Sequence, residues 1–322
     1  MSNFLVTGAA GFIGSALTRA ILRRGDHVRG LDNLSTGKPE NLAEIRDRVD
    51  FRQADLCDLD SVRDACKDVD FVLHEAALPS VPRSVADPVS AHDSNVTGTL
   101  NLLIAARDAG VKRIIFAGSS SAYGDQPTLP KHESMMPNPI SPYAATKVAC
   151  EMYMQCFYRC YGLETVTLRY FNVFGPRQDA NSQYSAVLAK FITMMLNGES
   201  PTIFGDGEQS RDFTYIDNVV KGNLLACAAP ADKVCGRVFN LATGSTITLN
   251  QTFTLLSKLV GFGGDPIYAP ERAGDIKHSY SDITRARKAL GYEPTVEFEE
   301  GLRRTIAWYV QQSAPVTAKE AQ

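Results

Sequence analysis

Tyr143 and Lys147 stand four residues apart in Ser141-Pro-Tyr-Ala-Ala-Thr-Lys147. Residues at that spacing share one face of a helix. There the Lys147 ammonium can stabilise a Tyr143 phenolate, and a cationic ring nearby would push the same way. The phenol could then act as a base nearer neutrality than its ordinary pKa of about 10 allows. Ser141 and Pro142 supply an N-cap residue and a first-turn proline. Taken alone, such a pair is more often a packed ring beside a solvated charge. A second hydroxyl comes from Ser119, in Gly118-Ser-Ser-Ser-Ala-Tyr-Gly124, which follows the apolar run 113–117. A hydroxyl at the C-terminal end of a strand faces the crevice where open α/β sheets bind ligands. From there Ser119 could hydrogen-bond a substrate oxygen and relay its proton to Tyr143. The plainer alternative is a polar turn whose serines satisfy the backbone.

The segment Thr7-Gly8-Ala9-Ala10-Gly11-Phe12-Ile13-Gly14 follows a strand pattern and opens a helix pattern. Glycines there let the chain turn tightly and bring backbone N–H groups against a pyrophosphate, which the helix N-terminus also favours. Asp32 ends the second strand pattern, 18 residues after Gly14. A carboxylate there accepts hydrogen bonds from adenosine ribose hydroxyls and repels a 2′-phosphate. Asn33 and Leu34 bring no arginine to welcome that phosphate, so NAD is expected rather than NADP. Asp55 and Leu56, after the third strand pattern, suit the adenine edge.

The elements that must position these groups are legible as alternation. Strand patterns fall at 4–7, 28–31, 49–53, 71–75, 113–117 and 165–170, and helical spacing at 12–24, 59–67, 88–109 and 143–161. That order predicts an α/β fold, a Rossmann-type doubly wound parallel sheet with right-handed crossovers. After Phe174 the rhythm changes, and a strand-helix-strand piece at 213–241 is expected to return to the sheet. The division expected is an NAD-binding domain of residues 1–174 and 213–242, and a smaller mixed α/β substrate-binding lobe of 175–212 and 243–310. The polar stretch 311–322 reads as a frayed tail.

The chain has 322 residues, 44% hydrophobic and 21% charged, with a formal net charge of −3 and no basic block. Neither nucleic acid nor an anionic membrane is implied as a partner, and no apolar run approaches the length of a membrane span. The seven cysteines form no C-x-x-C pair. Reduced thiols and a cytoplasmic setting are the simplest reading, and no metal is implied.

With these motifs in order, the chain resembles the extended short-chain dehydrogenase/reductases, from about Phe4 to Trp308. It is most similar to the UDP-hexose 4-epimerases, above all their branch that accepts N-acetyl sugars. The resemblance implies cofactor contacts from Gly8, Gly11, Phe12, Ile13, Gly14, Asp32, Asn33, Gly37, Asp55, Leu56, Ala76, Ala77, Asn95 and Tyr170, beside Tyr143 and Lys147. It puts the catalytic hydroxyl at Ser119, four positions before the tyrosine of Tyr123-Gly124. Asn172, in Arg-Tyr-Phe-Asn, is implied on the diphosphate, as are Arg211 and Arg272. Asp275 falls on the uridine ribose, and Ala186, Val187 and Phe204 fall in segments lining the uridine pocket. Ser80, Arg83 and Ser120 complete the sugar side. Pro79 stands where these proteins usually carry Gly or Lys.

Two positions bear on the reaction. Dehydratases of the superfamily carry Asp-Glu directly after the catalytic Thr, and UDP-glucuronate decarboxylases usually keep the Glu. Here Ser120-Ser121 follow Ser119. The resemblance therefore implies C4 epimerisation through a 4-keto sugar. At the gate beside the sugar C2 substituent this chain has Ser279, where epimerases restricted to glucose and galactose carry Tyr. UDP-GlcNAc/UDP-GalNAc and UDP-Glc/UDP-Gal are the expected substrates, and a homodimer through a four-helix bundle of 94–107 and 144–160 the expected assembly. A UDP-uronate 4-epimerase, with Arg83 or Arg177 as donor to the carboxylate, or a UDP-glucuronate decarboxylase is the alternative. A non-catalytic NAD-sensing protein is the rival from another class, and such proteins usually lose Y-x-x-x-K.

Overall fold

The computed structural model describes residues 1–180, 187–271 and 277–313. Its first half alternates as the patterning predicts: β1 (Asn3–Thr7), α1 (Phe12–Arg23), β2 (His27–Asp32), β3 (Val49–Gln53), α2 (Leu59–Ala65) and β4 (Phe71–His74). Then come α3 (Val81–Ala86), α4 (Pro88–His92), α5 (Gly98–Asp108), β5 (Arg113–Ser119), α6 (Pro142–Tyr161) and β6 (Glu164–Tyr170). Shorter pieces follow: β7 (Val173–Phe174), α7 (Val187–Leu196), β8 (Thr202–Phe204), β9 (Ser210–Arg211) and β10 (Thr214–Tyr215). The chain goes on with α8 (Ile216–Ala228), α9 (Ala231–Val234), β11 (Arg237–Leu241), β12 (Ile247–Thr248), α10 (Leu249–Val260), β13 (Ile267–Ala269), α11 (Thr284–Leu290) and α12 (Phe298–Ser313).

Seven strands form one sheet in the order β11-β6-β5-β4-β1-β2-β3, and every pairing in it is parallel. β11 joins beside β6, so the strand-helix-strand piece returns to the sheet through its second strand, while its first, β10, pairs with β7 outside the sheet. The order reverses between β1 and β4, the switch point at which doubly wound sheets open a crevice beyond the strand ends. Outside this sheet, β7 pairs with β10, β8 with β13, and β9 with β12.

Strands in a parallel sheet are covered on both faces and bury residues of alternate direction in two cores. In β1, Phe4 and Val6 enter one cluster and Leu5 the other. In β5, Ile115 joins the first, while Ile114 and Phe116 join the second with residues of α2, α5 and α6. The second cluster anchors α6 against the sheet, and α6 carries Tyr143 and Lys147.

Three local expectations need correction. The single helix expected at 88–109 is interrupted: α4 and α5 are joined by a π turn at Asp93–Thr97 that contains Asn95. A π turn adds a residue to one turn and re-aims the side chains in it. The polar stretch 32–40, which reads in the sequence as a loop, is irregular from 33 to 38 but gives its last two residues to a 3₁₀ helix, Pro39–Arg48, entered through the proline at its first position. The first three residues of the stretch expected as a frayed tail are helical, because α12 holds to Ser313; the rest of it lies outside the described residues. Among the described residues no helix is long and apolar enough to cross a membrane.

One buried ion pair ties α6 to β6. Arg169 Nε and Nη2 donate to the Glu151 carboxylate at 2.9 and 2.7 Å, with side-chain exposures of 3% and 0%. The guanidinium also lies 4.6 Å from the centre of the Tyr123 ring. Removing one member strands the other charge without solvent. Glu151→Ala is therefore expected to cost about 3–5 kcal/mol in denaturant unfolding; a loss below about 1 kcal/mol would mean that the pair does not hold the helix down.

Candidate active site

The start of α6 is accounted for group by group. Pro142 has no N–H to satisfy. Tyr143 N–H donates to Ser84 Oγ at 3.0 Å, and Ala144 N–H to Ser141 Oγ at 3.2 Å. Ser141 is thus the expected N-cap, and Ser84, from α3, supplies a second cap across 59 residues of sequence. Ser84 is fully buried, and its hydroxyl donates to the Val81 carbonyl at 2.7 Å. The backbone that carries Tyr143 is therefore fixed from two sides.

Lys147 is 3% exposed. Its Nζ donates to the Ala117 carbonyl at 2.9 Å and lies 4.8 Å from the Phe116 ring centre and 6.0 Å from that of Tyr143. One N–H is committed to β5, and two remain for other acceptors. Ser119 closes the same strand, two residues beyond that carbonyl. Its Oγ accepts from Ser121 N–H at 3.2 Å and from Ser121 Oγ at 2.8 Å, which leaves its own proton to be given elsewhere. Ser120 opens the short turn Ser120–Tyr123 that this serine caps.

The glycine turn has the form of an anion cradle. Gly8 has φ +66°, and a Cβ there would stand 2.8 Å from the Ala76 nitrogen. A Cβ on Gly14 would overlap the Gly8 carbonyl. Gly11 is the N-cap of α1 and has no side chain to cap it, so the first N–H groups of Phe12, Ile13 and Gly14 are open to an anion. Asp32 is 6% exposed. It accepts from Ala10 N–H at 2.9 Å and Leu34 N–H at 2.8 Å, one on each oxygen. Burial pushes its pKa up, against those two hydrogen bonds. A Cβ on Gly37 would lie 2.7 Å from an Asp32 oxygen, so the backbone of residue 37 rests against the carboxylate. Asn33 Nδ2 donates to Asp55 at 2.8 Å, at the mouth of the same crevice; the Cys57 N–H holds the Asp55 carboxyl below its usual range. Leu56 is buried under the helix path, and a Cβ on Gly98 would touch it at 2.9 Å. A turn without side chains, an uncapped helix start and a carboxylate with spare lone pairs fit a dinucleotide lacking a 2′-phosphate.

A hydrogen-bond chain beneath this turn joins it to α6. Thr7 Oγ1 and His74 Nδ1 are 2.8 Å apart, and His74 Nε2 and Thr99 Oγ1 2.9 Å. Thr99 Oγ1 donates to the Asn95 carbonyl at 2.5 Å, so toward His74 it must accept. His74 then carries its proton on Nε2 and accepts the Thr7 proton at Nδ1. Thr7 Oγ1 in turn accepts the Ala76 N–H at 3.2 Å. Burial, with the Lys147 charge adding to it, pushes the His74 pKa down to about 3, in keeping with a neutral ring. Asn95, brought to this place by the π turn, accepts from Leu78 N–H at 2.7 Å and donates to Thr146 Oγ1 at 2.9 Å. Thr146 donates to the Tyr143 carbonyl at 2.8 Å. Asn95 thus spans the loop after Ala76-Ala77 and the turn of helix between Tyr143 and Lys147. Tyr170 pairs in register with Ser119. Its hydroxyl is engaged with Glu75 at 2.8 Å and with Asn223, whose Nδ2 donates to it at 2.8 Å.

On the substrate side the structure brings together three expected residues. Asn172, at φ +33°, donates to the Asp212 carbonyl at 3.0 Å and lies 3.5 Å from Ser279 Oγ. Ser279 N–H donates to the Ser210 carbonyl at 3.0 Å, and Arg211 Nη1 to the carbonyls of Ser210 and Lys277 at 2.9 and 3.1 Å. Val187 opens α7 and Phe204 ends β8. Ser80 is the N-cap of α3, accepting from Arg83 N–H at 3.1 Å, and the Arg83 side chain is exposed. Ala186, Arg272 and Asp275 lie outside the described residues. Sequence reasoning missed Ser84, His74, Thr146 and Glu75. Ser84, His74 and Glu75 act through long-range contacts, and no local spacing marks them.

Comparisons agree with this geometry. Residues 4–242 match the model of the NAD dependent epimerase/dehydratase family. The chain is 41% identical over 313 residues to a UDP-glucose 4-epimerase from Mycolicibacterium smegmatis, covering 96% of this chain and 99% of that one. It is 36% identical over 322 residues to a UDP-glucuronate 4-epimerase from Thermodesulfobacterium geofontis, covering 96% of each. Its fold superposes with a TM-score of 0.92 on a UDP-N-acetylglucosamine 4-epimerase from Methanobrevibacter ruminantium, solved with UDP-N-acetylmuramic acid, at 44% identity over 97% of this chain and 99% of that one. On its sequence, sheet order and crevice together, the chain belongs to the NAD dependent epimerase/dehydratase family, and within it to the UDP-sugar 4-epimerases.

Proposed function

We propose that the chain inverts C4 of UDP-hexoses and accepts both N-acetylated and plain sugars, UDP-GlcNAc/UDP-GalNAc and UDP-Glc/UDP-Gal. The observation that carries this is Ser279, a small side chain 3.5 Å from the Asn172 amide. With Asn172 on the diphosphate, a serine so close leaves room for an acetamide at C2. The uronate reading rests on Arg83, one turn from Ser80 on α3, which would have to turn inward to meet a C6 carboxylate, or on Arg177, whose Nη2 donates to Glu44 at 2.9 Å. The exposure of Arg83 and the Glu44 pairing of Arg177 favour the neutral sugars.

In this reading Gly8, Gly11, Phe12, Ile13 and Gly14 hold the cofactor pyrophosphate, and Asp32, beside Gly37, holds the adenosine ribose. Asn33, Asp55 and Leu56 border the adenine, and Ala76, Ala77, Asn95 and Tyr170 border the nicotinamide half. Bound NAD⁺ supplies a two-electron acceptor that stores the C4 hydride and returns it. Tyr143 takes the proton of the sugar 4-hydroxyl, with Ser119 donating to that oxygen and Ser120 beside it. Lys147 stabilises the phenolate and spends little of its charge on Ala117, since a carbonyl is a neutral acceptor. Asn172, Arg211 and Arg272 grip the diphosphate, while Asp275, Ala186, Val187 and Phe204 hold the uridine. Ser80 meets the C2 substituent. Anchoring through UDP would let the 4-keto sugar turn over without leaving and present its other face to the cofactor. The exposed α6 side chains Met152, Tyr153, Cys156 and Cys160 support a dimer built on α5 and α6.

Three outcomes test these statements. Tyr143→Phe is expected to lower kcat by about 10²–10⁴ while cofactor stays bound; wild-type turnover in a product assay would remove the tyrosine from its role. Ser279→Tyr is expected to abolish turnover of UDP-GlcNAc and spare UDP-Glc, and equal loss on both would refute the gate. Light scattering of the purified protein should give twice the chain mass, and a monomer mass contradicts the helix-bundle assembly.

A further inference from the structure

Glu75 has no part in the chemistry above, yet it sits at the heart of the crevice. It follows the last residue of β4 and precedes Ala76, and its backbone carbon would lie 3.1 Å from a Cβ on Gly8. Its Oε1 accepts the Tyr170 hydroxyl at 2.8 Å. Its Oε2 is buried and has no hydrogen-bond partner among the described residues. Buried carboxylate oxygens are normally paired, and an orphan asks for an explanation. A ligand group able both to accept and to donate would satisfy it whether or not it holds a proton, and a carboxamide is such a group.

The charged and titratable groups around Glu75 are few. From β6 comes Tyr170, whose pKa burial pushes well up, so that it stays neutral. From α8 come the amide of Asn223 and, beyond Tyr170, Cys227, whose thiol burial pushes up to about 12. On β4 itself His74 is neutral. From α6 comes Lys147, the cation whose field reaches Glu75. Burial is the largest influence on Glu75 and lifts its pKa to about 7, against the Tyr170 hydrogen bond and Lys147, which lower it.

We propose that the Glu75 carboxyl faces the nicotinamide end of the bound cofactor and exchanges a proton as the cofactor's charge changes, so that the chain's preference for NAD⁺ over NADH depends on pH. A cationic ring favours the carboxylate, and a neutral dihydro ring favours the acid. Near neutral pH the protein with NAD⁺ releases the Glu75 proton to solvent, and the protein with NADH keeps it. By linkage, raising the pH through this range must strengthen NAD⁺ binding relative to NADH. The site would then bias the returning hydride by pH without any change in the sugar contacts. The inference rests on Ala76, Ala77 and Tyr170 lining the cofactor.

The test equilibrates the purified protein with a fixed mixture of NAD⁺ and NADH between about pH 6 and about pH 8.5, removes free nucleotide, and reads the reduced fraction of what stays bound by fluorescence. The wild-type ratio of bound NADH to bound NAD⁺ should fall about threefold or more across that range, because a half-unit difference in pKa between the two complexes gives that factor. On a Tyr143→Phe background, which removes the phenol as a source of slope, Glu75→Gln, an isosteric amide that cannot titrate, should make the ratio flat. Glu75→Ala should be flat as well, and serves if the amide variant does not fold. A flat wild-type ratio overturns the proposal. So does a slope that survives in both variants on that background, which would place the titration on another group. A protein that retains neither nucleotide at any pH would instead overturn the cofactor reading beneath it.

Discussion

The site depends on a buried ammonium. Taking Lys147 out of water is costly unless its charge is used. The structure gives it one carbonyl, that of Ala117, and the faces of two rings. No carboxylate pairs with it among the described residues. A carboxylate partner would have neutralised the field. A carbonyl fixes the ammonium's place and leaves most of its charge acting on whatever stands nearby. The Tyr143 ring centre stands 6.0 Å from the ammonium, whose field reaches Glu75.

The scaffold serves this arrangement through short, fully assigned hydrogen bonds. The switch point of the sheet puts the ends of β1 and β4 side by side, and the chain Thr7–His74–Thr99–Asn95–Thr146 carries that registration to α6. Each contact has one donor and one acceptor, and a neutral His74, kept so by burial, fits both of its neighbours by donating from Nε2 and accepting at Nδ1. This link explains why a π turn persists in the helix after α4. A regular helix would aim Asn95 elsewhere and break the connection between the cofactor loop and the Tyr143 turn.

Much of this was legible in the sequence because much of it is local. Glycine spacing, the carboxylate at the end of β2, the serine at the end of β5 and the Tyr-Lys spacing are each written in a few residues. Apolar runs alternating with amphipathic stretches located the strands of the first half to within a residue or two. What escaped is non-local. Ser84 caps a helix 59 residues away, and Glu75 meets Tyr170 across 95. The π turn and the 3₁₀ helix at Pro39–Arg48 escaped because their apolar spacing does not differ from that of a helix or a loop. Serine and glutamate are common surface residues, and burial turned them into structural parts here.

The central claim is that Tyr143 takes the proton of the sugar 4-hydroxyl with the Lys147 ammonium held beside it. Turnover of Lys147→Met, counted per molecule of bound nucleotide, measures this most directly, because methionine keeps the apolar stem and removes only the charge. The account predicts a kcat lowered by about 10²-fold or more per nucleotide-loaded protein. Turnover within about twofold of wild type on that basis would contradict it.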